Sequence, residues 1–161
     1  IQISEAFRRK QDTLHFIKKA EKDTLAVYKY PEGTLVDLNE ADTTELKKIP
    51  GIGSGIARMI VAYRKRLGGF YDMAQLKEVN YVDEDMLRWF KLGNAPIHRI
   101  NANKAGLDKL RSHPYMNFYQ AKVIIEYRRK KGKLKSLSQL SLYEEFTEKD
   151  LERLSHYLAF D

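Results

Sequence analysis

The 161-residue chain has no cysteine. Disulfides, thiolate zinc sites, iron–sulfur clusters and a cysteine nucleophile are therefore excluded. No apolar run approaches the roughly 20 residues that a membrane-spanning helix needs, and no secretory signal pattern is visible. The first residue is Ile1 rather than Met, as expected of an excised piece or a processed product. The histidines (His15, His98, His113 and His156) are scattered without metal-ligand spacing, so neither a metal nor a cofactor is expected. Proline is scarce, and Pro31, Pro50, Pro96 and Pro114 all fall at breaks in the helical pattern.

What is present is a soluble, basic, helix-rich composition. Apolar residues make up 43%, enough for a packed core, and the net charge is +7. Excess positive charge points to a polyanionic partner. Its distribution is uneven: residues 36–98 hold nine basic and nine acidic residues, whereas 99–161 hold thirteen basic and eight acidic.

The chain repeats itself. At an offset of 64 residues, 36–76 aligns with 100–140 without a gap. Identities include Asn39/Asn103, Ala41/Ala105, Pro50/Pro114, Ala57/Ala121, Tyr63/Tyr127, Arg64/Arg128 and Gln75/Gln139. One register kept over so long a span marks a duplicated structural unit. The expected organisation is an N-terminal arm over 1–35, a first unit over 36–92, a linker over 93–99 and a second unit over 100–161. The arm reads as an amphipathic helix or a loosely held segment.

Each unit reads as helices. Asp42 with Glu45 opens a short helix, and Ser54 is placed to cap a longer one ending near Leu67. Ile56, Ile60, Tyr63 and Leu67 recur there at helical spacing. Gly68-Gly69 stops that helix. Asp72 and Asp83 are placed to cap two further short helices, matched by Ser136 and Thr147 in the second unit. The fold class is therefore all-α.

The run "KKIPGIGSGIA" (47–57) carries Gly51, Gly53 and Gly55. A dinucleotide fold requires Gly-x-Gly-x-x-Gly after a buried strand, and here the spacing and the polar preceding segment are wrong. A P-loop requires a terminal Gly-Lys-Ser/Thr, which is absent. A tight helical hairpin fits better, because glycine supplies positive φ in the turn. The helix that follows begins with unpaired N–H groups and a partial positive charge, a site suited to a phosphate and blind to base sequence.

The run "LNEADTTELKKIPGIGSGIARMIVAYR…LGGFYDMAQLKEV" resembles a helix-hairpin-helix unit of the ComEA type, a family that includes competence DNA receptors. The resemblance covers 36–76 most closely and reaches 100–158 through the repeat. It implies two tandem helix-hairpin-helix bundles with four hairpin positions, non-specific double-stranded DNA as partner, and a parent that could be extracytoplasmic and membrane-anchored. By that analogy the intact hairpin is Pro50–Gly53, and with the helix start that follows it the expected DNA-binding residues are Lys48, Gly51, Ile52, Gly53, Ser54, Gly55 and Arg58. A secondary basic patch is drawn from Arg128, Arg129, Lys130, Lys131, Lys133 and Lys135, although cations at a helix C-terminus also have a structural explanation.

The other hairpin positions depart from the family pattern. The second (79–86) lacks glycine and carries Asp83, Glu84 and Asp85. In the third (113–118), Tyr115 replaces the first glycine and Asn117 the second; Asn tolerates the left-handed conformation, which would preserve the turn. The fourth (142–150) is acidic. These losses raise a second expectation, a protein-interaction or scaffold module that keeps the fold without the DNA surface. Asp72 stands at the distance from the hairpin where helix-hairpin-helix glycosylases place an aspartate. Its repeat partner is Ser136, so capping explains both, and no enzymatic activity is expected.

Overall fold

The computed structural model describes residues 28–161, so most of the expected N-terminal arm lies outside the described residues. Unit one begins with strand β1 (Val36–Asp37), followed by helices α1 (Thr43–Leu46) and α2 (Ser54–Leu67). Two 3₁₀ segments follow, Met73–Glu78 and Glu84–Trp89, and then strand β2 (Phe90–Lys91). Unit two repeats the order: β3 (Ile100–Asn101), α3 (Leu107–Arg111), α4 (Phe118–Lys131), a 3₁₀ segment (Leu137–Leu140), α5 (Glu148–Leu154) and β4 (Leu158–Ala159).

The strands correct the all-α expectation. β1 pairs with β2 in parallel, Val36 opposite Phe90, and β3 pairs with β4, Ile100 opposite Leu158. Each pair ties the start of a unit to its finish. Two-residue strands are too short for the apolar alternation by which a strand is recognised in sequence. The segments after Asp72 and Asp83 are 3₁₀ rather than α, the tighter winding common in short pieces.

The caps explain where the elements start and stop. Asp42 accepts the Glu45 N–H at 2.8 Å, and Asp83 accepts that of Met86 at 3.1 Å. Asp72 and Thr147 cap as expected, each within a capping box. Ser136 holds the matching cap position but its hydroxyl pairs with that of Ser138, and the turn is held by Gln139 accepting the Ser136 N–H. Gly68, at φ 96°, ends α2 in the left-handed conformation. Ser54 is not a cap: it is the first residue of α2, and the cap position belongs to Gly53.

The repeated identities are structural anchors. The Arg64 guanidinium donates to the carbonyls of Leu38 (3.0 Å) and Ala41 (2.7 Å), holding the opening turn of unit one onto α2. Arg128 does the same for Ala102 and Ala105 in unit two. Gln75 and Gln139 accept the N–H groups at positions 71/72 and 135/136, fixing the turn before each 3₁₀ segment.

One apolar core runs through both units. Leu46, Ile49, Ile52, Ile60 and Leu76 are fully buried in the first, and Leu110, Ile124, Leu134, Leu140 and Leu154 in the second. Each such side chain contributes about 1.5–3 kcal/mol of burial. Between the units lies a polar and aromatic seam. Tyr157, fully buried, donates to the Gly69 carbonyl at 2.6 Å and accepts from Gln75 Nε2 at 2.7 Å. Tyr115 donates to the Glu78 carboxylate and also accepts from Gln75. Tyr71 stacks on His156 at 3.7 Å between centroids. His113 Nδ1 accepts the Tyr115 N–H, so Nε2 carries the proton and donates to the Leu67 carbonyl at 2.8 Å. Burial pushes the pKa of this imidazole down to about 4.

Candidate nucleic-acid interface

The four hairpins share one backbone bond. Ile52 N–H donates to the Ile49 carbonyl, Val82 to Val79, Met116 to His113 and Phe146 to Tyr143, all at 3.0–3.2 Å. Each bond closes a four-residue turn whose last residue precedes a cap. The helix-hairpin-helix motif model matches residues 32–89 and 96–159. The chain belongs to the helix-hairpin-helix family. Its similarity to curated proteins is more distant. It is 27% identical over 154 residues to the mouse (Mus musculus) endonuclease/exonuclease/phosphatase family domain-containing protein 1, covering 75% of this chain and 27% of that protein. The Xenopus laevis protein of the same name is 25% identical over 146 residues, covering 75% of this chain and 26% of its own length. The chain thus spans about a quarter of the curated relatives it matches. No solved structure matches.

Within this helix-hairpin-helix chain the hairpins differ at the turn and at the cap. In the first, Pro50 and Gly51 occupy the two central positions, and Gly51 sits at φ 89°, the arrangement of a type II turn. In the second, Tyr81 takes the same place at φ 69°, the one non-glycine residue with positive φ among the described residues. Tyr115 and Glu145 stand there in the third and fourth, and neither has positive φ. The third turn therefore follows a different path, which lets the Tyr115 side chain enter the seam between the units. Asn117 does not supply the left-handed residue expected of it: at φ −96° and ψ 175° it is extended, and it caps α4.

The cap separates the first hairpin from the rest. Asp83 caps the segment after the second hairpin, Asn117 caps α4 at 2.8 Å from the Gln120 N–H, and Thr147 caps α5 at 3.1 Å from the Asp150 N–H. Gly53 holds the corresponding position before α2, with nearly the same backbone as Asn117 (φ −95°, ψ −173°), and no side chain caps that helix. Among the helices that follow the four hairpin turns, α2 is thus the one whose first N–H groups are left open to a ligand oxygen.

Packing does not demand these glycines. A Cβ at Gly53 or Gly55 would meet nothing within 4 Å, and neither residue has positive φ. Gly55 lies inside the first turn of α2, where glycine is less favourable than alanine by about 0.5–1 kcal/mol. Only Gly51 has a conformational reason. Gly53 and Gly55 keep an exposed approach to the backbone open instead. Ser54 and Arg58 are exposed beside them, Lys48 is half-buried before them, and Ile52 is fully buried in the core as the hairpin's apolar anchor.

The basic run in unit two divides. Arg128, counted in the sequence-derived patch, has its guanidinium spent on the opening-turn carbonyls, as Arg64 has. Lys130, Lys131, Lys133, Lys135 and Arg129 are exposed. No hydrogen bond links this run to residues 50–58 among the described residues. Asp72 is a cap, accepting the Ala74 N–H at 2.8 Å. No cluster of three or more metal-ligating side chains occurs among the described residues, and no described helix is long and apolar enough to cross a membrane.

Sequence reasoning missed Lys29. Its ammonium donates to the Lys47 carbonyl at 2.6 Å and lies near those of Ile49 and Ile52, so it fastens the chain at Lys29 against the first hairpin. Tyr30 N–H adds a bond to the Lys48 carbonyl at 2.7 Å, and Lys48 sits over the Tyr30 ring. Nothing local in the sequence marks this long-range contact.

Proposed function

We propose that this protein binds double-stranded DNA without sequence preference, through phosphate contacts at the first hairpin. The uncapped, Cβ-free start of α2 carries the reading: three hairpins supply their own capping oxygen, and the first leaves its donors to an external one. Backbone N–H groups of residues 53–55 take the phosphate, with Ser54 beside them. Lys48 and Arg58 reach neighbouring phosphates. Such contacts position a protein on the duplex and carry no base information. The ComEA-type resemblance and the net positive charge support the same substrate. The chain's part is binding, not catalysis; the names of its relatives describe proteins of which it matches only about a quarter.

Fluorescence anisotropy with a labelled duplex tests this. Affinity falls as salt rises, with a log–log slope near −0.9 per phosphate contacted. Gly53→Asp, which installs the cap found at Asp83, weakens binding about tenfold or more while the fold is kept. Absence of binding at low salt, or equal binding by Gly53→Asp, overturns the proposal.

A second reading, a protein-interaction module, is favoured by unit two. Phe118 (40% exposed) and Tyr119 (68%) replace Ser54 and Gly55 at the start of α4, and Leu142 (97%) projects before the fourth hairpin. These side chains block phosphate approach and offer apolar contact instead.

A further inference from the structure

The C-terminal ends of α2 and α4 each border a groove, and the repeat makes the two grooves comparable position by position. In unit two the groove, of about 410 Å³, is lined by Asn103, Ile125, Arg128, Arg129, Gly132 and Lys133. All six have their repeat partners in the wall of the unit-one groove, from Asn39 to Gly69. Unit one adds the linker, with Ala95, Pro96 and His98 closing one side. The linker is docked there: His98 N–H donates to the Gly68 carbonyl at 2.8 Å, and the Ile97 side chain lies so close over Gly69 that a Cβ there would meet it at 2.9 Å. In unit two that side is open, and a Cβ on Gly132 would meet nothing within 4 Å.

One difference sets the chemistry of what fits. Gly68 has φ 96° and ψ 3°, whereas Gly132 has φ 90° and ψ −162°. A change of that size in ψ turns over the peptide plane that follows. Where unit one offers the Gly68 carbonyl to a linker N–H, unit two offers the Lys133 N–H. That N–H has no hydrogen-bond partner among the described residues. The groove in unit two therefore calls for an acceptor. Its rim adds the exposed cations Arg129 and Lys133, with Lys130 next along the helix, while Ile125 gives it an apolar floor.

We propose that the unit-two groove binds an extended, acidic peptide segment of a partner protein, laid beside α4 as residues 95–98 lie beside α2. An aliphatic side chain of the peptide rests on Ile125 and Gly132. A carboxylate or main-chain carbonyl accepts from the Lys133 N–H, and flanking acids meet Arg129 and Lys133. A phosphate chain would satisfy the cations but has no use for the apolar floor, which is why a peptide is the better fit. The inference stands apart from DNA binding at the first hairpin.

The test uses the whole 161-residue protein and a fluorescein-labelled peptide, Asp-Asp-Ala-Pro-Ile-Glu-Asp, built on the Ala-Pro-Ile of the linker. Saturable binding is expected, with movement of the Lys133 amide and Ile125 methyl resonances in ¹⁵N and ¹³C spectra. Arg129→Glu with Lys133→Glu, both exposed, weakens binding at least tenfold and leaves the thermal midpoint unchanged. Lys122→Glu, an equal charge change per site at the other end of α4, leaves it intact. A peptide with its acids replaced by lysine does not bind. The proposal is overturned if millimolar peptide moves neither resonance. It is also overturned if Lys122→Glu weakens binding as much as the groove variant does. It fails as well if duplex DNA, and not the peptide, moves the Lys133 amide, since the groove is then a phosphate site.

Discussion

Asn39 grips Phe70 with both ends of its side-chain amide: Nδ2 donates to the Phe70 carbonyl at 2.9 Å, and Oδ1 accepts the Phe70 N–H at 2.7 Å. Asn103 does the same to Leu134, at 2.8 Å each way. The pair fastens the turn after β1 or β3 to the chain leaving the long helix. Asn39→Ala leaves the Phe70 backbone without its partners, at a cost of about 2–3 kcal/mol for two hydrogen bonds next to a buried ring. Urea unfolding measures it, and Asn103→Ala should cost a similar amount. A loss under about 0.5 kcal/mol would show that water replaces the amide.

Arg128 and Arg129 are neighbours with different duties. Arg128→Ala removes charge-assisted bonds to two carbonyls and destabilises the fold by about 1–3 kcal/mol. Arg129→Ala, on an exposed side chain, stays within about 0.5 kcal/mol of the parent. Equal stability of the two variants would remove the anchoring role assigned to Arg128.

Tyr81 is 79% exposed and sits at φ 69°. An L-residue in this region costs about 1–2 kcal/mol, part of which the entropy of an unfolded glycine takes back. Tyr81→Gly should therefore stabilise the protein by about 0.5–1 kcal/mol, whereas Gly51→Ala, at φ 89°, should destabilise it. Thermal melts of both variants check the signs.

His113 makes stability fall with acid. Its folded pKa, about 4, lies below the unfolded value of 6.5, so the unfolded chain binds more protons between them. Its contribution is complete above pH 6.5 and is lost as pH falls toward 4, amounting to about 3 kcal/mol at the limit. Denaturant titrations between pH 4 and 7 should show this slope flattened in His113→Gln. An unchanged slope assigns it to carboxylates instead.

Tyr157→Phe removes one hydroxyl that serves two partners, Gly69 and Gln75, across the seam. A loss of about 1–2 kcal/mol is expected, with a single unfolding transition before and after. Two separated transitions in the parent protein would show that the units fold independently of the seam.

Much of this architecture is legible in the sequence because the duplication displays it. The offset of 64 residues aligns the caps, the α2 and α4 boundaries and the Asn, Arg and Gln anchors. The roles of those anchors were not legible, since Arg128 as a carbonyl clamp and Arg128 as a surface cation leave the same letter at a helix end. The short strands left no periodicity. The seam joins residues such as Gln75 and Tyr157, 82 positions apart, and no local pattern carries that distance. At the candidate site, the glycine spacing pointed to the first hairpin. The decisive contrast of caps needed the backbone angles that show Gly53 and Asn117 to be equivalent.

The parallel strand pairs have a consequence for ancestry. Since β1 lies against β2 and β3 against β4, the first and last residues of each unit are neighbours. A module whose termini meet can be copied in a gene and strung onto its twin by a short tether, with no rearrangement of its interior. In the doubled chain the two copies differ at the same doorway, bare glycine in one and aromatic rings in the other.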